Sequence, residues 1–484
     1  MSTLNMGQGH LAGNKLSDID AFADVNDIRD SFTMAMSAMY RDEVPLYGDL
    51  IRIVQTVNDK VIAKKLPSSG RIGDAGSARL DIERHGAIRL GTPYELRTVS
   101  RIFAALGLSA VGYYDLSVAG LPMHATCFRP TDTTSLHKNP FRIFTTLLRP
   151  ELLQDEEARK LASVLLERRQ IFTSDLLELL DTADKQHGRL TPSQASRFVT
   201  EAMKTFSWRP VASATQLEYQ KLASEHSILA DIASFRSSHI NHLTPRTLDI
   251  TAAQEQMREQ GLQTKERIEG PPKRECPILL RQTSFIALQE SIRFPTETGT
   301  LVQGTHRARF GEIEERGAAV TPAGRALYDE LLQKANEKIA NLPLGAGAAE
   351  QDEILKEVFE DYPDNWSELR RRGLVYSTYR RTSKPLGDVQ LLQDQESLER
   401  LIDGGYVAAE PITYEDFLPF SAAGIFQSNL RTGKATSEAP PKAHPDQAGL
   451  EVALGGPIQN PDDLYLEIQN QSLRKCISTL SLST

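Results

Sequence analysis

Two hydrophobic periodicities divide this chain. From about residue 150 to 235 apolar residues recur at helical spacing, as in "EEARKLASVLLERRQIF" and "SDLLELLDTA". "LTPSQASRFVTEAMKTF" adds a helix start at Thr191 and Pro192, so the region reads as a helical insert. On either side the pattern shortens to runs of strand length. "HGAIRLG" (85–91) predicts a strand, and "TPYELRTVSRIFAALG" predicts a helix: Thr92 as N-cap, Pro93 in the first turn, Glu95 completing a capping box, Gly107 at the end. "AVGYYDL", "MHATCFRP" and "FRIFTTLL" follow as β-rich runs, giving the order β-α-β-β-β.

The start of that order recurs after the insert. From His85, an arginine lies four residues on (Arg89) and an N-cap candidate seven residues on (Thr92). From His242 in "HINHLTPRTLDI" the same offsets reach Arg246 and Asp249, before a polar helix ending near Gly261. "PILLRQTSF", "SIRFP" and "HRARFGEIEERG" are strand-like, so a second β-α-β unit, diverged from the first, is expected. The charged "EQMREQGLQTKERIEGPPKRE" reads as an interruption. The expected divisions are a flexible 1–25, an N-terminal helix and first module over 26–150, the insert over 151–235, a second module over 236–330 and a C-terminal segment over 331–484.

Strand alternation places chemistry. In an extended "HINHLT", Ile240 and His242 share one face while His239 and Asn241 share the other. The repeat selects His242 as the partner of His85, the two modules bringing both imidazoles together across a cup between their sheets. "RARFGEIEERG" offers Glu312 and Glu314 on one face, and Glu312, beside Gly311, is the preferred third ligand. Two imidazoles and one carboxylate suit non-heme Fe(II), although zinc hydrolases use the same ligand types. Arg89 and Arg246, each four along from its histidine, could hold a substrate carboxylate bidentately. His239 is left with a supporting role, and His124 and His306 have no matched partner.

Composition narrows the class. Of the residues 40% are hydrophobic and 25% charged, as in a globular protein. The net charge of −9 forms no long block, which argues against broad nucleic-acid binding. The cysteines Cys127, Cys276 and Cys476 lie far apart without CxxC spacing, so neither a disulfide framework nor a thiolate metal site is expected, and a cytoplasmic location is. No apolar run approaches the ~18–20 residues of a membrane helix.

At these residues the chain resembles a known family. "RDEVPLYGDL", "ERHGAIRLGT", "HINHLTPRTLDI", "EGPP", "PILLRQTSF", "ARFGEIEERGAA" and "YEDFLPFSAAGIFQSN" closely resemble the 2-oxoadipate dioxygenase/decarboxylase family, from about residue 28 to the C-terminus. The resemblance implies an α+β fold of paired βαβββ modules, as in the vicinal oxygen chelate superfamily, forming a cupped sheet around a metal. It implies Fe(II) as cofactor, 2-oxoadipate and O2 as substrates, and D-2-hydroxyglutarate and CO2 as products in lysine breakdown. One molecule then serves as both 2-oxo acid and hydroxylation target, so no separate 2-oxoglutarate is required. It puts the metal ligands on His85, His242 and Glu312, the substrate on His85, Arg89 and Phe420, and makes Arg89 the catalytic arginine. Phe420 stands where bacterial members carry a smaller valine, a departure that bears on pocket shape. Arg246, His239, Gln282 and Ser421 are further pocket or supporting candidates. A monomer or small homo-oligomer, without nucleic-acid or membrane partners, is expected. The competing readings are another divalent-metal lyase, isomerase or hydrolase on this scaffold, and a non-catalytic metabolite-binding protein.

Overall fold

A computed structural model describes residues 22–69, 80–343, 346–385, 395–418 and 445–481. The lead-in over 1–21 and the positions Phe420 and Ser421 lie outside the described residues. The fold is α+β.

The first module has the expected order. Strand β1 (Arg84–Leu90) is followed by a crossover helix (Pro93–Ala105) and then by β2 (Ser109–Asp115), β3 (Met123–Arg129) and β4 (Arg142–Leu148). Thr92 caps the helix, its side chain accepting from Glu95 N–H. The capping box, however, is not closed on Thr92: Glu95 Oε2 accepts from Gly91 N–H at 2.8 Å, and Oε1 faces buried Arg169 at 3.0 Å. Glu95 therefore ties the strand end to the helical region beyond residue 150. The β-branched and aromatic run of β4 is buried on both faces, as a central strand requires.

The sheet runs β2-β3-β4-β1-β5, where β5 (His242–Pro245) opens the second module and pairs antiparallel with β1. The two modules therefore join in one sheet, and no gap between separate sheets has to be crossed. Beyond β5 the helix Ile250–Glu259 is capped by Asp249, whose side chain accepts from Ala252 N–H. Gly261 then adopts a left-handed φ of 81°. Next come β6 (Leu280–Ser284), β7 (Glu290–Pro295), β8 (Leu301–His306) and β9 (Glu312–Arg316).

The sheet edge continues past β5. Arg246 bridges Glu314 in parallel, and β9 pairs antiparallel with β6. Thr264 and Glu269, inside the charged stretch expected to interrupt the fold, bridge Phe285 and Gln282 antiparallel. The second module thus has the order β5-β9-β6-(264–269), matching β1-β4-β3-β2 of the first. Two corrections follow. The segment 264–269 occupies the second strand position and is not a plain loop. "SIRFP" belongs to a separate β7-β8 hairpin, and "HRARFGEIEERG" is not one strand: β8 ends at His306 and β9 starts at Glu312.

Three regions pack on this frame. The helix Val25–Glu43 brings Tyr40, whose hydroxyl lies 3.0 Å from Asn241 O and 2.7 Å from Phe310 O, locking the residues just before His242 and near Glu312. Helices fill 156–206 and 216–233, Thr191 capping Pro192–Phe206 with a reciprocal capping box. The C-terminal region contributes β10 (Ser377–Arg381), β11 (Val407–Pro411) and the helix Pro461–Ser481. Among the described residues no helix is long and apolar enough to cross a membrane.

Gly311 is where a side chain cannot be added. A Cβ there would lie 2.1 Å from the Phe285 ring, which is buried in the core. Gly311→Ala is expected to destabilise the fold by about 1–3 kcal/mol through overpacking, read as a lower midpoint in chemical denaturation with unchanged slope. An unaltered midpoint would show that Phe285 yields freely.

Candidate metal centre

The β1-β5 register builds the site. Ala87 lies opposite His242 and His85 opposite Thr244. Residues facing each other in an antiparallel pair share a face, so His85 and His242 are diagonal neighbours on one side of the sheet. Their rings meet edge to face with centroids 5.4 Å apart. Strand β9 adds Glu312, and one ligand atom each from His85, His242 and Glu312 lies within 4.8 Å of the others. All three side chains are fully buried.

The polar atoms of this trio are not satisfied by one another. His85 Nε2 lies 3.1 Å from Glu312 Oε1 without hydrogen-bond geometry, and His242 Nε2 lies 3.9 Å from the same oxygen. His85 Nε2, both His242 nitrogens and Glu312 Oε2 are buried without a hydrogen-bond partner. Buried polar groups are ordinarily paired, because leaving one bare costs about 1–3 kcal/mol. Converging lone pairs on two imidazoles and a carboxylate are a donor set that fits a divalent cation.

Supporting contacts fix each ligand. Glu314 Oε2 lies 2.8 Å from His85 Nδ1; a carboxylate only accepts, so Nδ1 carries the proton and the Nε2 lone pair faces the trio. Glu312 Oε1 accepts from Gln282 Nε2 at 2.6 Å and from Thr244 Oγ1 at 3.2 Å. Phe417 and Phe310 wall in His85 and His242, at ring distances of 4.9 and 4.8 Å. Burial pushes the His242 imidazole well below its ordinary value, and the charges of His85 and Arg89 push the same way, so it stays a neutral donor. For His85 burial acts downward, but Glu314 and Glu312 outweigh it and the net shift is upward.

Arginines balance the carboxylates. Arg316 donates to both oxygens of Glu314 at 2.8 Å, and Arg142 Nη1 lies 3.3 Å from Oε1. Burial opposes the charge on Glu314, but Arg316, His85 and Arg142 hold its carboxyl far below the usual range. Arg142 also pairs with Glu83 and Glu415. Arg246, a candidate for the pocket, is instead turned to Glu83 Oε2 at 3.1 Å and belongs to this ionic network.

Arg89 sits at the other end of the trio, with Nη1 2.6 Å from Asp231 Oδ2. Asp231 Oδ1 lies 2.9 Å from His306 Nε2 and 3.2 Å from His239 Nε2, while Tyr219 hydroxyl meets His306 Nδ1 at 2.9 Å. His239 precedes β5 and is not in a strand, yet its side chain is directed to this cluster and away from Glu312. His124 pairs edge to face with Tyr113 on the first module. Asp231, His239 and His306 also come within 4.8 Å of one another. Here the carboxylate already carries a guanidinium, so the cluster reads as a buried ionic strut behind Arg89.

Sequence reasoning passed over Arg142 and Asp231, and set Glu314 beside Glu312 only as the less favoured third ligand. Glu314 had a signal, sharing the face of Glu312 in "GEIEER". Asp231 had one too, as the lone acid in the buried helix Ser227–Ala233. Arg142 had none apart from the register that sets it beside His85.

Comparison with known proteins gives a consistent result. A family model described as 2-oxoadipate dioxygenase/decarboxylase matches residues 32–429. A curated protein of that name from Pseudomonas putida is 45% identical, over 96% of this chain and 99% of its own length. One of the same name from Escherichia coli is 46% identical over 93% and 98%. A crystal structure of the Pseudomonas putida hydroxyglutarate synthase in complex with 2-oxoadipate superposes with a TM-score of 0.84 at 42% identity, covering 95% of this chain and 99% of that one.

The Arg89–Asp231 pair carries a prediction. Burial alone pushes the Asp231 carboxyl up, but His239 and Arg89 outweigh it and hold it well below 3.8. A depressed folded value contributes stability above the ordinary carboxyl pKa that is lost as pH falls toward the depressed one. Asp231→Asn removes the carboxylate that the largely buried Arg89 guanidinium meets and should cost about 3–5 kcal/mol at neutral pH. The deficit should shrink below about pH 4, as denaturation at several pH values would show; a deficit independent of pH would mean that charge is not what Asp231 contributes.

Proposed function

The chain belongs to the 2-oxoadipate dioxygenase/decarboxylase family, and from that membership we propose that His85, His242 and Glu312 hold Fe(II) for the conversion of 2-oxoadipate and O2 to D-2-hydroxyglutarate and CO2. The observation that carries this reading is the buried trio with its unpartnered, converging lone pairs. The resemblance puts the family's metal positions on His85, His242 and Glu312 and its substrate arginine on Arg89. The lysine-breakdown role, a cytoplasmic location and a monomer or small homo-oligomer complete the reading; all three cysteines are free and buried, as a reducing compartment allows.

When bound, Fe(II) supplies open coordination positions for the 2-oxo acid and O2 and the redox chemistry that joins them. The protein's part is to bind and orient. Glu314 fixes the His85 tautomer, while Gln282 and Thr244 fix the rotamer of Glu312. Phe310 and Phe417 keep the walls apolar, which excludes water from the reacting end. Arg89, braced by Asp231, takes the distal carboxylate and so sets which carbon faces the metal. A misplacement of about 1 Å costs on the order of 100-fold in rate. The product is one carbon shorter, and its new hydroxyl is on the carbon beside the former keto group.

The test is anaerobic loading with Fe(II), then exposure to 2-oxoadipate with and without O2. O2 uptake matched by CO2 release and 2-hydroxyglutarate is expected, with none from Zn(II)-loaded protein. Turnover with Zn(II), or without O2, would instead support the lyase, isomerase or hydrolase reading. His242→Ala should abolish iron binding while His239→Ala retains at least part of it, measured as iron per chain after desalting; the reverse order would overturn the assignment of His242.

A further inference from the structure

Two half-buried ionisable residues on the segment beyond β6, Lys265 and Glu269, are not used by the reading above. Their placement follows from strand pairing. Lys265 N–H donates to Ser284 O at 2.9 Å and Ile286 N–H to Gln263 O at 2.9 Å, around the Thr264–Phe285 bridge. Glu269 and Gln282 exchange both backbone hydrogen bonds, at 2.8 and 2.9 Å. On the other side of β6, Ser284 lies opposite Glu312 and Gln282 opposite Glu314. Opposite residues share a face, so two rows cross the sheet: Glu312, Ser284, Lys265 and Glu314, Gln282, Glu269. The alternation has an independent check. Thr264 and Thr283, one residue out of phase, take hydrogen bonds from Arg258 and Gln254 of the helix Ile250–Glu259, on the opposite face.

The first row starts at Glu312 of the trio and runs on across β6, on the side away from His242 and His85. The Lys265 ammonium acts electrostatically on both Glu312 and His242, although no element of the metal trio lies on its own strand. Its nitrogen is buried, as is Ser284 Oγ, which has no hydrogen-bond partner. Glu312 Oε2 is likewise bare. A cation, a hydroxyl and a carboxylate oxygen with spare capacity therefore follow one another across about 10 Å of sheet. Glu269 is the nearby counter-charge to this ammonium; burial depresses the Lys265 ammonium to about 7 and raises the Glu269 carboxyl to about 7.

We propose that Lys265 is a substrate-binding residue for the 2-oxo acid end, holding with Ser284 the carboxylate that leaves as CO2. This rests on the functional reading above and adds to it a division of labour. Arg89 holds the distal carboxylate at one end of the trio, and Lys265 grips the reacting end at the other. A 2-oxo acid without a distal carboxylate therefore still needs Lys265.

The experiment is anaerobic equilibrium binding of 2-oxoadipate and of 2-oxohexanoate, which replaces the distal carboxylate by a methyl group, to Fe(II)-loaded protein. Lys265→Met should weaken both ligands by a similar factor, about 10- to 100-fold, as for loss of one charge-assisted hydrogen bond. Iron content should stay at the wild-type level, and Lys265→Arg should recover most of the affinity for 2-oxoadipate. The pair Lys265→Met with Glu269→Gln removes the stranded carboxylate and should show the same loss, which separates binding from folding. Unchanged affinity for 2-oxoadipate, a loss confined to 2-oxoadipate, or a fall in iron content would each overturn the proposal. Absence of turnover in the wild type would instead defeat the functional reading, and is scored separately.

Discussion

The register between β1 and β5 is the constraint on which the site depends. It sets Ala87 against His242, and so puts His85 diagonally beside it on the same face. A one-residue slip would turn one imidazole to the other side of the sheet. The joint is secured from outside the strands as well. Asn241 N–H donates to Ala87 O, Phe310 N–H to Asn241 O, and the Tyr40 hydroxyl of the N-terminal helix meets the carbonyls of Asn241 and Phe310. Residues 87, 241 and 310 are thus tied together by backbone hydrogen bonds, whose geometry tolerates little drift.

Around that joint the chain buries an unusual amount of charge, arranged in separate balanced groups. Glu314 is neutralised by Arg316 and Arg142, Arg142 in turn by Glu83 and Glu415, and Arg89 by Asp231. Buried ion pairs add little net stability compared with apolar packing, but losing one partner is costly. Such pairs make the surroundings of the trio rigid and define the orientation of His85 and Arg89. The trio differs because its lone pairs face one another and, among the described residues, no hydrogen-bond donor meets His85 Nε2, His242 or Glu312 Oε2. That contrast separates it from the Asp231, His239, His306 cluster, which has the same ligand types but already holds a guanidinium.

Much of this was legible in the sequence. The first module could be read strand by strand because its strands are apolar runs with Gly and Pro punctuation and its helix has a proline-marked start. The matched offsets of His85, Arg89, Thr92 and His242, Arg246, Asp249 located the second module, and the pseudo-repeat is present in strand order. At Arg246 equal spacing did not bring equal surroundings: β5 ends after four residues, and the side chain pairs with Glu83 in the ionic network around the trio. The strand over 264–269 escaped notice because its residues are charged and its pairing bulges, so neither alternation nor β-propensity marks it. Glu95 shows a subtler limit, since a capping pattern predicts the acceptor but not which neighbouring amide it takes.

The central claim is that one metal ion is held by His85, His242 and Glu312. Its most direct test is anomalous diffraction at the iron edge from crystals grown anaerobically with Fe(II). The account predicts a single peak within bonding distance of His85 Nε2, His242 and Glu312, with His85 Nδ1 still on Glu314. A peak among Asp231, His239 and His306, with none at the trio, would contradict it.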